Sequence, residues 1–290
     1  MAPLHGLYRP RTVDEAVGLL AEDDEARLLA GGATLVAMLN ARVIEPPALI
    51  SLRFIDEIKG IAKLSDGTLR IGAFTRHRET AASAPLLGSS GVIRDAASQI
   101  ANATVRNMGT IGGSVAFADP GLDYPPALVA AGALIELASK EGRRSVAASE
   151  FFVDWYTTAL QPGEMVTGVL LRPSNGGAGI YVKHARVAGD YATASAAVCL
   201  ETDGRCRVAI GACGPAPLAD PAIDAALSGD LSDAALATAA DRLAAAADPL
   251  DDVRGSADYR RRLIAPLLRR AVRAAEAALQ RGRARAAASR

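Results

Sequence analysis

No charge of either sign is in excess in this 290-residue chain: Lys plus Arg number 32, Asp plus Glu number 32, and the net charge is zero with histidine neutral. Without a basic surplus there is little to neutralise a phosphate backbone, which excludes nucleic-acid binding as a main function. Long apolar runs are also missing. No stretch reaches the roughly 18 residues of a membrane-spanning helix, and the start, MAPLHGLYRPRTVDEAV, has no basic segment leading into an apolar one. A cytoplasmic protein is the expectation. Cysteine is scarce: Cys199, Cys206 and Cys213 stand seven residues apart, without the C-x-x-C spacing of zinc or iron–sulfur ligands. Buried thiols are expected, and if the chain works in a redox pathway any iron–sulfur cluster has to sit on another polypeptide. The glycine-rich loops fit neither G-x-x-x-x-G-K-S/T nor G-x-G-x-x-G, so the two commonest nucleotide loops are excluded as well.

What is present is an ordinary globular composition, 50% hydrophobic and 22% charged, long enough for two or three subdomains. Its most informative stretch is ATVRNMGTIGGSVAFADPGLDYPP at 103–126. Gly109, Gly112 and Gly113 free the backbone of Cβ atoms, and Thr110 and Ser114 flank the glycine pair with hydroxyls. Asp119 and Asp123 follow among Pro120, Pro125 and Pro126, which hold the acids in fixed directions, as a sugar hydroxyl requires. A second device lies upstream. A buried strand ends at Ala30, Gly31 and Gly32 make its turn, and Thr34 opens an apolar helix, the arrangement of an anion site at a helix start. Two such loops fit one elongated dinucleotide; the plainer alternative is that each only marks a tight turn.

Periodicity and turn chemistry outline the rest. Thr12 and Glu15 form a capping box ahead of a helix over 13–22, a strand covers 27–30, a helix runs to about residue 41 and a strand covers 48–52. The second lobe opens with strands over 58–62 and 68–73 around an Asp66-Gly67 turn. A helix capped by Thr75 carries His77, expected to be solvated or helix-capping. A helix over 92–102 leads into the central loop, and strands over 133–138, 143–147 and 165–171 close the lobe, with Trp155 as a packing anchor. The stretch 172–179, rich in Gly, Ser and Pro, reads as a linker. Beyond it come strands over 180–186, 192–201 and 205–214, helices over 222–226, 232–247 and 257–280, and a basic, mobile tail over 281–290.

AGGATL at 30–35 and RNMGTIGGSVAFADPGLDYPPAL at 106–128 resemble the FAD-binding medium subunits of the molybdenum hydroxylases, of the carbon monoxide dehydrogenase and xanthine dehydrogenase type. IGAFTRHRE at 71–79, FFVDWYTTALQPGE at 151–164, YVKHARVAGDYA at 181–192 and DDVRGSADYRR at 251–261 extend the likeness over nearly the whole chain. The resemblance implies an α+β fold. A two-lobed PCMH-type (vanillyl-alcohol-oxidase-like) FAD-binding domain would cover 1–173, with lobes at 1–57 and 58–173. A C-terminal domain over 176–280 would follow, a three-stranded antiparallel sheet with a helical bundle.

The cofactor implied is non-covalent FAD, since neither glycine loop contains histidine. By the same resemblance Gly31, Gly32, Ala33, Thr34 and Leu35, next to Ala30, would hold the pyrophosphate together with Thr110, Ile111, Gly112, Gly113 and Ser114, next to Gly109. Asp119 and Asp123 would meet cofactor hydroxyls, Asp123 on the ribityl chain, and Ala101 and Val166 would supply apolar contacts. Lys183 would stabilise negative charge at the pyrimidine end of the reduced ring, and Tyr191 would cover one flavin face. Ala33 departs from the polar residue common in relatives, which keeps backbone donation and removes a side-chain bond.

The implied partners are a large subunit with the molybdenum cofactor and a small subunit with 2Fe–2S clusters, assembled as a dimer of heterotrimers. Electrons would run from the clusters through FAD to an external acceptor. Two rivals remain open: a self-standing flavoenzyme of the same fold, which needs a substrate pocket with a general acid or base, and a flavin-free scaffold with vestigial loops.

Overall fold

In the computed structural model, which describes residues 6–174 and 176–288, the first lobe is a small parallel sheet. Strands β1 (Gly6–Tyr8), β2 (Arg27–Leu29) and β3 (Ala48–Ser51) lie in the order β1-β3-β2. Parallel neighbours need crossovers, supplied by helices α1 (Val13–Glu22) and α2 (Leu35–Asn40). Thr12 caps α1 as its sequence predicts, its Oγ1 accepting from the Glu15 N–H at 3.1 Å. The returning half of the box is displaced: the Glu15 carboxylate accepts from Arg11 N–H at 2.7 Å. β1, three residues long and largely exposed, has no hydrophobic period by which to be read.

The second lobe is a five-stranded antiparallel sheet. Its strands are β4 (Ile61–Lys63), β5 (Leu69–Gly72), β6 (Leu134–Ser139), β7 (Gly142–Ala147) and, after the short β8–β9 hairpin (Phe152–Asp154 and Thr157–Thr158), β10 (Met165–Leu171). Their order is β4-β5-β10-β6-β7. The strand expected over 58–62 starts later, because Ile58 is fully buried in a 3-10 turn. Between β5 and β6 run α3 (His77–Ala81), α4 (Gly91–Gln99), α5 (Ala103–Met108), α6 (Ile111–Phe117) and α7 (Tyr124–Ala131). The central stretch is therefore largely two short helices rather than one loop. Thr75 does not cap α3; its hydroxyl donates to Gly60 O at 2.9 Å, and Glu79 accepts from the Arg76 N–H at 2.8 Å. The helix leading into the centre ends at Gln99, because Ala101 takes a left-handed φ of 41°, held by Arg106 donating to the carbonyls of Ile100 and Ala101 at 2.7 Å each. Trp155 is half-buried, while Phe151 and Phe152 near it are buried edge to face.

Past the short α8 (Ala148–Phe151) in the second lobe, the C-terminal part holds β11 (Ala178–His184), β12 (Ala194–Leu200) and β13 (Cys206–Gly211), antiparallel in that order, with α9 (Pro221–Gly229), α10 (Asp233–Ala246) and α11 (Ala257–Ala288). Alternation along β12 divides its side chains between two cores: Ala194, Ala196, Val198 and Leu200 pack with the C-terminal helices, Ala197 and Cys199 with the two N-terminal lobes. Helices α4 and α7 lie on that second face. All three cysteines are buried free thiols, pushed up to about 12 by burial, as inert structural thiols are. The tail expected from residue 281 instead continues α11 to Ala288; the last two residues lie outside the described ones.

Candidate functional site

β2, α6 and the loop before β12 converge on a cleft of about 370 Å³. Its wall includes Ala30, Gly31, Gly32, Ala33, Thr34 and Leu35 from the first glycine loop, and Gly109, Thr110, Gly112, Gly113 and Ser114 from the second. Ala101, Asp123, Val166 and Tyr191 complete the set of expected residues that share it.

The first loop leaves β2, turns at Gly32 with φ of 77°, and starts α2. The N–H groups of Gly31, Gly32, Ala33, Thr34 and Leu35 have no hydrogen-bond acceptor among the described residues; the first amide used by the helix is that of Val36, donating to Gly32 O at 3.1 Å. Five successive main-chain donors therefore stand open on the cleft side of one short turn, a cradle for an anion.

The second loop is built differently. Thr110 caps α6, its Oγ1 accepting from Gly113 N–H at 3.2 Å. Ile111 N–H donates to Thr75 O at 3.0 Å, Gly112 N–H to Ala73 O at 2.9 Å and Ser114 N–H to Thr110 O at 3.0 Å. Four of its amides are thus committed within the chain, that of Thr110 has no acceptor among the described residues, and the loop also offers the cleft hydroxyls. Ser114 Oγ is buried with no partner among the described residues, an orphan that a ligand would satisfy.

Most of the glycines serve protein contacts rather than ligand clearance. A Cβ on Gly31 would lie 1.9 Å from Met108 O, where the two loops touch. One on Gly109 would lie 2.5 Å from His77 Nε2, and one on Gly112 2.5 Å from the Ala73 Cβ. Gly113 alone of the second set meets nothing closer than Thr110 Oγ1, at 3.1 Å.

Three expected residues sit away from the wall. Ile111 is fully buried in the core. Asp119 is engaged locally, accepting from Gly121 N–H at 2.8 Å and from the Tyr156 hydroxyl at 3.2 Å. Lys183 is not free to face a ring: its ammonium pairs with Asp123 Oδ1 at 2.9 Å and donates to the carbonyls of Gln99 and Asp190 at 2.9 and 3.0 Å, using all three protons. Both side chains of that pair are 6% exposed. Tyr181 also donates to Asp123 Oδ1, at 2.7 Å, leaving Oδ2 without a partner among the described residues. Burial raises Asp123 above the usual carboxylate value, against the opposing pull of Lys183 and Tyr181.

Tyr191 is half-buried at the mouth, and burial raises its hydroxyl pKa. The Arg254 guanidinium lies 5.0 Å over its ring and pairs with Asp190 at 3.4 Å. His77 is neither solvated nor a cap: it is 5% exposed and lines the cleft, and burial, assisted by Arg106, lowers its pKa to about 4. Its place in IGAFTRHRE was the one available signal.

The fold and cleft define a flavoprotein domain joined to an α+β C-terminal domain, and comparison with known proteins gives the same class. Residues 3–172 match the FAD binding domain in molybdopterin dehydrogenase, and residues 180–275 the CO dehydrogenase flavoprotein C-terminal domain. The carbon monoxide dehydrogenase medium chain of Afipia carboxidovorans is 38% identical over 278 residues, 93% of this chain and 96% of that one. Among solved structures, carbon monoxide dehydrogenase from Hydrogenophaga pseudoflava, in a form lacking the Mo-pyranopterin moiety of its cofactor, superposes with TM-score 0.90 at 35% identity, covering 96% of this chain and 99% of that one. Quinoline 2-oxidoreductase from Pseudomonas putida 86 superposes with TM-score 0.87 at 30% identity, with the same coverage. The chain belongs to the FAD-binding medium subunits of the molybdenum hydroxylases, of the carbon monoxide dehydrogenase and xanthine dehydrogenase type. It is an oxidoreductase subunit.

The residues present fit FAD. Unpaired amides at 31–35 suit a diphosphate, the orphaned Ser114 hydroxyl and the open Asp123 oxygen suit polar groups of the cofactor, and Ala101 and Val166 supply an apolar wall.

Proposed function

We propose that this chain holds FAD in the cleft without a covalent bond and relays electrons from 2Fe–2S clusters on a small partner subunit to an external acceptor. Substrate is hydroxylated at a molybdenum centre on a large partner, the whole forming a dimer of heterotrimers. The observation that carries the reading is the run of five unpaired amides at 31–35 on the same cleft as Thr110, Ser114 and Asp123. When bound, the flavin ring supplies the one- and two-electron steps.

The chain's own residues bind and orient. The amides of Gly31, Gly32, Ala33, Thr34 and Leu35 take the diphosphate, with Thr110, Gly113 and Ser114 closing over it. Asp123 accepts from a ribityl hydroxyl through Oδ2, its other oxygen being fixed by Lys183 and Tyr181. Lys183 acts through Asp123 and through the Asp190 carbonyl, while the Asp190 carboxylate accepts from the N–H of Tyr191, which would cover one flavin face. Among the described residues no helix is long and apolar enough to cross a membrane. Three free buried thiols suit the reducing cytoplasm, where we place the protein.

The test is spectroscopic. The purified chain is expected to be yellow and bleached by dithionite, and to be bleached by substrate only with all companions present. A preparation without flavin rejects the reading; turnover by this chain alone replaces it with the self-standing enzyme.

A further inference from the structure

His77 belongs to neither glycine loop, yet it touches their junction. Its main-chain N–H donates to Gly109 O at 3.0 Å, and its imidazole edge lies against Gly109, whose Cα is 3.0 Å from where a Gly31 Cβ would be. Nδ1 faces the Tyr124 hydroxyl at 3.3 Å, with the rings 5.4 Å apart and tilted by 53°. Tyr124 is completely buried and its pKa is raised by that burial, so the phenol keeps its proton, and its hydroxyl is shared between Nδ1 and the Thr80 side chain. Where that hydroxyl donates to Nδ1 the imidazole proton is on Nε2, and Nε2 has no partner among the described residues. A side chain 5% exposed, lining the cleft, with one nitrogen fixed and the other open, is built to donate inward.

Resting on the flavin reading above, we propose that His77 is a binding residue of the cleft, a neutral imidazole whose Nε2–H donates to the diphosphate of the bound dinucleotide where the two glycine loops meet. The first loop supplies amides from one side, and His77 supplies a side-chain donor from beneath. Its neutrality suits the place. A cation buried beside Arg106 would be costly before the ligand arrives, whereas a neutral donor is ready in the empty cleft. Tyr124 is a positioning residue, acting only through the tautomer it imposes.

The experiment compares FAD, ADP and riboflavin binding to the purified complex, wild type against His77→Phe, His77→Gln and Tyr124→Phe. Loss of a hydrogen bond to a charged group is expected to weaken FAD and ADP about tenfold or more in His77→Phe. Riboflavin, which has no phosphate, is expected to bind as in wild type. His77→Gln, which keeps a donor, is expected to recover most of the loss, and Tyr124→Phe to lose a few-fold, again only for the phosphorylated ligands. Equal weakening of all three ligands would assign His77 a packing role and overturn the proposal, as would unchanged FAD affinity in His77→Phe. A wild-type complex that binds no FAD would instead reject the flavin reading itself, so the two failures are distinguishable.

Discussion

In the loop after β2 the amides of residues 31–35 are unpaired, whereas in the loop before α6 those of Ile111, Gly112, Gly113 and Ser114 all donate within the chain. Both loops read as glycine pairs, but the glycines answer different demands. Gly32 provides a left-handed turn that aims main-chain donors outward. Gly109 and Gly112 let α3 and β5 pack so closely that the loop becomes rigid and presents hydroxyls. Two similar motifs thus divide the work: one is the donor surface, the other the wall against which it is braced at Gly31.

The largest effect is expected where the two loops touch. Gly31→Ala puts a methyl 1.9 Å from a main-chain oxygen that no rotamer change can move. A loss of about 3 kcal/mol of stability is expected, read as a lowered denaturation midpoint. Gly113→Ala should leave stability nearly unchanged while weakening flavin. If both substitutions behave alike, the division between loops is wrong.

The next effect separates the loops by pH. His77 donates its main-chain N–H to the second loop, and its folded pKa of about 4 lies below the unfolded 6.5. Between those values the unfolded chain binds the extra proton, so stability falls as pH drops from 6.5 through about 4 and is fully present above 6.5. The slope should approach 1.4 kcal/mol per pH unit and disappear in His77→Gln, measured by denaturation at a series of pH values. A slope that survives that substitution assigns acid lability elsewhere.

The smallest effects concern single hydroxyls. Ser114→Ala is expected to weaken flavin by about 1 kcal/mol with no change in melting temperature, because it removes a buried group that lacks a partner. Ala33→Ser should strengthen flavin by up to about 1 kcal/mol by adding a donor to the amide loop. Isothermal titration with FAD decides both.

The strands and longer helices could be read from the sequence because their signals are local: the capping box at Thr12, the Asp66-Gly67 turn, the apolar run of β12. The two short helices in the central stretch were not legible, since Gly112 and Gly113 lower helix propensity and α6 is held by its cap and by packing. The glycine loops were visible at the site; their unequal resources were not, because the acceptors for the second loop come from Ala73 and Thr75. Lys183 reads from sequence as an available strand ammonium, and only folding brings it onto Asp123. The His77 pairing with Tyr124 spans 47 positions and has no local pattern at all.

β12 is hemmed in from both sides, so the polypeptide resists being cut into modules at the glycine-rich stretch that invites it. A fragment ending near residue 172 would bare the greasy undersides of α4 and α7, and the remainder would carry a sheet with one unclothed surface. Anyone shuffling, trimming or fusing these proteins should move both halves together.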